Sequence, residues 1–474
     1  MQRNAWLHSL FLLLALPLAT PTGQEPERPP NFVLVFVDDL GYGDLGCYGN
    51  ELIRTPRIDA LAAEGVRFTS FYAQTVCGPS RAALMTGCYP LRVARAQNRM
   101  DVHPRLHGDE ITIAEVLREA GYATGCFGKW DLAGHQQQGY DASLLPLQQG
   151  FDVFFGTPTS NDRHVHLLRQ NEVVEREADM GTLTRRYTEA ALEFVRANAE
   201  RPFFVYLPHT MPHTRLAASE PFAGRSERGL YGDVVEELDW SVGRIVDTLE
   251  ELGLRESTYL AFLSDNGPWW MKRENGGSAG PLRGAKTSVW EGGVRVPCVV
   301  SAPGRVPAGR VIDAPSSTLD WMPTLAALAG TSAPTDRAID GINLSALLHG
   351  GVDAPPQRTL YHYVHNHLQA LRRGRWKLHL ARPANPPWTP NWTRQIAPED
   401  VFEIATPLLY DLEADLGETT DVAAQHPELV AELLRLAEQA RDDIGDYDRI
   451  GAGARFYDPE PRRPDRVRAD EDED

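Results

Sequence analysis

Short apolar runs and longer amphipathic stretches alternate along most of the chain. Asn31-Phe-Val-Leu-Val-Phe-Val37 is apolar without interruption, and such a β-branched run predicts a strand buried on both faces. It stops abruptly at Asp38-Asp39-Leu-Gly-Tyr-Gly43. Helical and strand periodicities then succeed each other: helix over 55–64 and strand over 66–71, then 111–120 and 122–127, 183–197 and 202–207, 234–252 and 258–263. This succession predicts an α/β fold, a large domain whose mostly parallel central sheet is flanked by helices. A Pro- and Gly-containing stretch at 350–357 marks a boundary. Beyond it, strand-like segments at 359–364, 368–372, 376–380 and 407–412 and an amphipathic helix at 427–440 predict a small antiparallel sheet with one helix. The expected division is a large domain over 24–355, a C-terminal subdomain over 356–445 and a polar tail over 446–474. That tail ends Asp470-Glu-Asp-Glu-Asp474 and is expected to be disordered.

The first residues read differently. Arg3 precedes an apolar run at 10–19, which Pro17 interrupts and a polar, Pro-rich stretch follows. This pattern predicts a secretory signal peptide over 1–23, too short for a comfortable membrane span. The mature chain is expected to be exported, periplasmic or secreted, with no membrane span after signal cleavage.

Composition is that of a globular protein, with 42% hydrophobic and 24% charged residues. A formal net charge of −18 argues against nucleic acid or an anionic membrane as a partner. It leaves room for a locally cationic site. Of the five cysteines, Cys47, Cys77, Cys88, Cys126 and Cys298, at least one must lie outside any disulfide framework, and no CxxC pair suggests zinc. The sequence carries no signal of oligomeric state.

Three groups of residues carry candidate chemistry. In Cys77-Gly-Pro-Ser-Arg81, Pro79 suits the first turn of a helix, which puts Cys77 just ahead of a helix N-terminus that favours an anion. Asp38 and Asp39 close the first strand, and Ser264-Asp265-Asn266-Gly267 closes another about two hundred residues later. Four oxygen donors gathered at strand ends suit a hard cation, Ca²⁺ or Mg²⁺. The third group comprises Gly128-Lys-Trp-Asp-Leu132, Thr157-Pro-Thr-Ser-Asn-Asp162, Pro208-His-Thr-Met-Pro-His213 and Pro281-Leu-Arg-Gly-Ala-Lys286, the last leading into Trp290-Glu-Gly-Gly-Val-Arg-Val-Pro297.

Together these strings resemble the type I, formylglycine-dependent sulfatases, arylsulfatase-like members of the alkaline phosphatase superfamily. Cys77-x-Pro-Ser-Arg81, continued by Ala-Ala-Leu-Met-Thr-Gly87, matches their activation motif. The likeness runs from Asn31 to about Glu438. It includes Gly150-Phe-Asp-Val-Phe-Phe-Gly156, Arg373-Gly-Arg-Trp-Lys-Leu378 and Leu409-Tyr-Asp-Leu-Glu-Ala-Asp-Leu-Gly-Glu-Thr-Thr420.

The resemblance implies that a formylglycine-generating maturation enzyme oxidises Cys77. One hydroxyl of the aldehyde hydrate attacks sulfur, and loss of the other's proton expels sulfate. It further implies calcium at Asp38, Asp39, Asp265 and Asn266 with residue 77 in its shell. Arg81 would brace the site, Lys129 and Lys286 would contact sulfate, and His213 would protonate the leaving oxygen. His209 and Ser160 would be secondary substrate contacts. The expected substrate is a small-molecule or oligosaccharide sulfate ester, a sulfated carbohydrate or an aryl sulfate. Candidate specificity segments are 163–170 and the histidine-rich 361–367.

One position departs from the family pattern. Where sulfatases commonly read Gly-Lys-Trp-His-Leu-Gly, this chain has Asp131 followed by Ala133-Gly-His135. Either Asp131 accepts the hydroxyl hydrogen bond or His135 reaches back to do so. An aspartate here requires pairing with Lys129 or a shared proton. Two rival readings are a phosphate or phosphonate ester hydrolase on the same fold and a catalytically silent protein that binds sulfated glycans.

Overall fold

The computed structural model describes residues 28–93, 106–135, 139–383 and 403–455. The predicted signal peptide lies outside the described residues.

Asn31–Val37 is the hub of the sheet. All seven residues are buried, and the strand pairs in parallel with Thr258–Ser264 on one side and Phe203–Pro208 on the other. Parallel pairing continues from Phe203–Pro208 through Ala123–Lys129 to Val153–Thr157. Outside this block the sheet turns antiparallel, through Arg295–Ser301 and Val66–Tyr72 at one flank and Leu167–Arg169 and Glu172–Glu175 at the other. Residues 265–294 carry only short helical turns rather than a crossover helix, so the chain returns antiparallel. The sheet is therefore mixed, with the predicted parallel region at its centre.

Alternate residues of the hub serve opposite cores. Phe32, Leu34 and Phe36 pack with residues of the helices Cys77–Thr86, Ile113–Glu119 and Trp321–Leu328. Val33, Val35 and Val37 pack beneath Leu183–Ala197 and Leu230–Glu251. At about 1.5–3 kcal/mol for each large apolar side chain buried, this two-sided burial fixes the strand's register.

The second unit is an antiparallel sheet of Thr359–Val364, His367–Arg373, Trp376–His379 and Leu408–Asp411. The helix Pro427–Asp443 covers it with Leu433, Ala437 and Ala440. Ala83, Tyr89 and Leu319 of the large unit join the same apolar cluster, so the small sheet docks on the helix that begins with Cys77. The histidine-rich segment forms its first hairpin, and His362, His365 and His367 are buried there.

The tail expected to be disordered from 446 continues instead as structure to Arg455. Gly445–Asp446 pairs with Arg449–Ile450, buried Asp446 accepts the N–H groups of Leu368 and Tyr447, and Arg455 pairs with Glu110. These charges find partners, which composition alone does not reveal. All five cysteines are unpaired. No helix among the described residues is long and apolar enough to cross a membrane.

Candidate active site

Strand register assembles the site. Val37 lies opposite Ser264 and Phe36 opposite Pro208, so the chain leaves three adjacent strands at Asp38, Asp265 and His209. This is the carboxyl edge at which α/β sheets place their ligands. The Asp265 N–H donates to Val37 O at 3.0 Å. Asp39 has φ 66°, a left-handed conformation that Asp adopts more readily than most residues, and its N–H donates to Asp265 Oδ1 at 3.1 Å. Gly267 follows because a Cβ there would overlap Gly292 O.

Cys77 is the first residue of its helix, with extended Val76 as the cap and Pro79 in the first turn. Its Sγ and carboxylate oxygens of Asp38 and Asp265 all lie within 4.8 Å of one another. Three buried cations surround this group. Lys129 Nζ donates to Asp38 Oδ2 at 2.6 Å, and Lys286 Nζ donates to Asp39 Oδ2 at 2.8 Å. Arg81 donates to Asp265 Oδ2 at 2.8 Å and to Lys129 O at 2.9 Å.

The electrostatics of these carboxylates suit a cation. Burial works against ionised Asp38, but Lys129, His213 and Arg81 hold it well below the usual carboxylate range. Burial and the neighbouring Asp38 charge push Asp265 well above that range. Asp38 Oδ1 and Asn266 Oδ1 are buried without a hydrogen-bond partner. An orphaned buried acceptor costs about 1–3 kcal/mol. A hard cation ligated by oxygen meets both demands, so the residues fit one.

His213 closes the opposite wall. Its Nε2 lies 3.7 Å from Asp39 Oδ2 and 3.8 Å from Asp162 Oδ1, and its ring centroid is 5.2 Å from that of Trp269. Lys286 Nζ stands 4.8 Å from the centroid of the same indole. Burial, helped by Lys286 and opposed by Asp39, lowers the His213 pKa.

Residues 30–331 match the sulfatase family, and residues 355–455 match the family described as the C-terminal region of aryl-sulfatase. The chain belongs to the sulfatase family. It is 36% identical to mouse steryl-sulfatase over 88% of its own length and 85% of that protein. It is 38% identical to dog N-acetylgalactosamine-6-sulfatase over 80% of its length and 76% of that protein. A solved structure from Bacteroides thetaiotaomicron, described with the metabolism of multiple glycosaminoglycans, superposes with a TM-score of 0.76 at 31% identity. The match covers 88% of this chain and 100% of that one. The protein is thus a hydrolase of sulfuric esters.

In this sulfatase, Cys77, Arg81, Lys129, His213 and Lys286 share one buried cluster with the four oxygen donors. Ser160 joins it indirectly, its Oγ donating to Asp162 Oδ2 at 2.5 Å. Asn161, beside it, donates to the backbone oxygen of His213 at 3.1 Å. His209, expected as a secondary substrate contact, faces the helix-packed side of the sheet. Its Nε2 shares a hydrogen bond with Ser241 Oγ at 3.1 Å, and its ring packs near Tyr187. Burial alone lowers its pKa to about 3, and the whole side chain is buried.

Asp131 Oδ2 lies 3.5 Å from Lys129 Nζ, so Lys129 stands between Asp38 and Asp131. Its φ of 56° is left-handed. The His135 backbone pairs with Gly139, and its side chain lies outside the described residues. Two neighbours of the site, Asp162 and half-buried Trp269, escaped the sequence reading. The one available signal for Trp269 was its place directly after Ser264-Asp265-Asn266-Gly267-Pro268.

Proposed function

We propose that this sulfatase cleaves a sulfated carbohydrate or an aryl sulfate at residue 77, with Cys77 matured to formylglycine and Ca²⁺ held by Asp38, Asp39, Asp265 and Asn266. The observation that carries this reading is the pair of partnerless oxygens, Asp38 Oδ1 and Asn266 Oδ1, in a donor set that includes Cys77. Burial pushes the Cys77 thiol well above its usual range; Lys129 opposes the rise and Asp131 adds to it. An unmodified thiol would therefore be a weak nucleophile. Formylglycine hydrate instead supplies two hydroxyls on one carbon, one for attack on sulfur and one whose proton loss releases sulfate. A bound cation favours the ionised form of such a hydroxyl. Calcium suits this irregular set of carboxylate and amide oxygens better than magnesium, which demands near-ideal octahedral geometry.

The chain's own residues supply the rest. Burial opposes the Lys286 charge, yet Asp39 keeps its pKa raised, so its ammonium stays available to sulfate oxygens. Lys129 works in the same way against Asp38. Arg81 fixes Asp265 and the end of the strand that carries Lys129. His213 is depressed by burial and Lys286 but pulled upward by Asp39, Asp38 and Asp162. A bound sulfate ester adds to that pull, so His213 takes up its proton with substrate and delivers it to the leaving oxygen. Trp269 offers a flat wall to a ring-shaped leaving group.

Asp131 accepts the hydroxyl hydrogen bond that histidine accepts elsewhere in the family. Asp and His both tolerate a left-handed backbone, so Asp131→His keeps the loop and retains turnover within about tenfold, whereas Asp131→Ala lowers kcat by about 10²-fold. Steady-state rates on an aryl sulfate decide this, and complete loss in Asp131→His would give the carboxylate a role of its own. The mature enzyme comprises a catalytic domain over 24–355 and a subdomain over 356–445. It is exported after removal of residues 1–23 and depends on the maturation enzyme. Paired assays with aryl sulfate and aryl phosphate, with mass spectrometry of the peptide containing residues 77–81, test the proposal. An unmodified thiol together with preferential phosphate release would overturn it.

A further inference from the structure

A buried ionic network joins the small sheet to the large unit, and none of its members belongs to the proposed catalytic cluster. Lys377 Nζ donates to Glu291 Oε1 at 2.8 Å and lies 3.2 Å from Glu418 Oε1. His379 Nε2 is 2.7 Å from the same Glu418 oxygen, and Glu418 Oε2 accepts the Glu291 N–H at 2.7 Å. All four side chains are fully buried. Buried ion pairs are seldom a net source of stability, because desolvation offsets the attraction. Specifying a geometry is their better-attested use.

The geometry fixed here is that of the loop carrying Lys286. At one end, Arg283 donates to Glu418 O at 2.9 Å and stacks over Trp290, whose ring lies 4.0 Å from that of His379. At the other end sits Glu291. Between them, Val289 packs against Val364 and Ala370 of the small sheet. Thr287 has φ 74°, a conformation a β-branched residue keeps only when its surroundings impose it. Its N–H donates to Thr75 O at 2.8 Å, and Thr75 Oγ1 donates to Tyr363 O at 2.9 Å. The small sheet thus grips both sides of Lys286 and a residue two positions before Cys77.

We infer that Glu418 and Lys377 are positioning residues for Lys286, so that the docked C-terminal sheet sets the reach of its ammonium toward the sulfate. The inference rests on the proposed sulfate-binding role of Lys286. In the full-length protein, Glu418→Gln and Lys377→Met should each raise both KM for an aryl sulfate and the inhibition constant of inorganic sulfate by about tenfold. Leu433→Ala, which weakens the same subdomain away from the loop, should lower the melting midpoint and move neither constant. In a Lys286→Ala background, Glu418→Gln should have no further effect on sulfate inhibition, since a positioning residue acts only through the group it positions. An unchanged sulfate constant in folded Glu418→Gln, an equal rise in Leu433→Ala, or full additivity with Lys286→Ala would each overturn the inference. Should the charge variants fail to fold, Thr75→Val removes the Tyr363 link conservatively and is read on the same scale. Wild-type enzyme lacking both turnover and sulfate affinity would instead sink the functional reading underneath.

Discussion

Cys77→Ala should lower kcat/KM for sulfate esters by on the order of 10⁶-fold while leaving the fold and its melting midpoint nearly unchanged. The side chain heads a helix whose remaining residues are held by packing on both sides, so alanine removes the reacting atom and little else. Cys77→Ser gives the sharper outcome. A serine hydroxyl in the same place can attack sulfur, but it has no geminal partner whose ionisation would expel sulfate. The variant should release about one equivalent of phenol per site from an aryl sulfate and then stop, leaving sulfated protein detectable by mass. Continuous turnover by the serine variant would show that a single hydroxyl suffices, and the need for a hydrate would disappear. Rates near wild type in Cys77→Ala would remove residue 77 from the chemistry altogether.

Much of this site was legible because local pattern and chemistry coincide at strand ends. The buried run at Asn31–Val37 names its own strand, and the acidic pair after it stands where a parallel sheet exposes its carboxyl edge. Thr258–Ser264 repeats the arrangement with Asp265 and Asn266, and the register that joins the two pairs follows from burial on both faces. What escaped was set by contacts distant in sequence. His209 and His213 share one string, yet one faces Ser241 in the helix-packed core and the other faces Asp39. No periodicity within six residues separates those fates. Arg295–Ser301 was read as part of a motif rather than as a strand, although it pairs along the sheet. Lys377 and Glu418 lie inside strings that carried the family resemblance, but their meaning depends on Glu291, 86 and 127 positions away.

Calcium should raise the melting midpoint of the wild type, and Asp265→Asn should abolish most of that rise while changing the metal-free protein far less. A ligand that binds only the folded state at 100 times its dissociation constant adds about 2.7 kcal/mol. Without the cation, burial and the neighbouring Asp38 charge both disfavour ionised Asp265, so an uncharged asparagine avoids that penalty. Against that gain, asparagine can no longer accept from both the Asp39 N–H and Arg81, and losing one such bond costs about 1–3 kcal/mol. The opposing effects largely cancel, so the deficit of the variant should emerge only on adding the cation. Thermal melts in chelator and in graded calcium, on wild type and variant together, separate the two contributions. A strong calcium response that survives in Asp265→Asn would place the cation elsewhere. A variant equally destabilised with and without calcium would reduce Asp265 to a structural partner of Arg81, leaving the orphaned oxygens of Asp38 and Asn266 to be explained by something other than a metal.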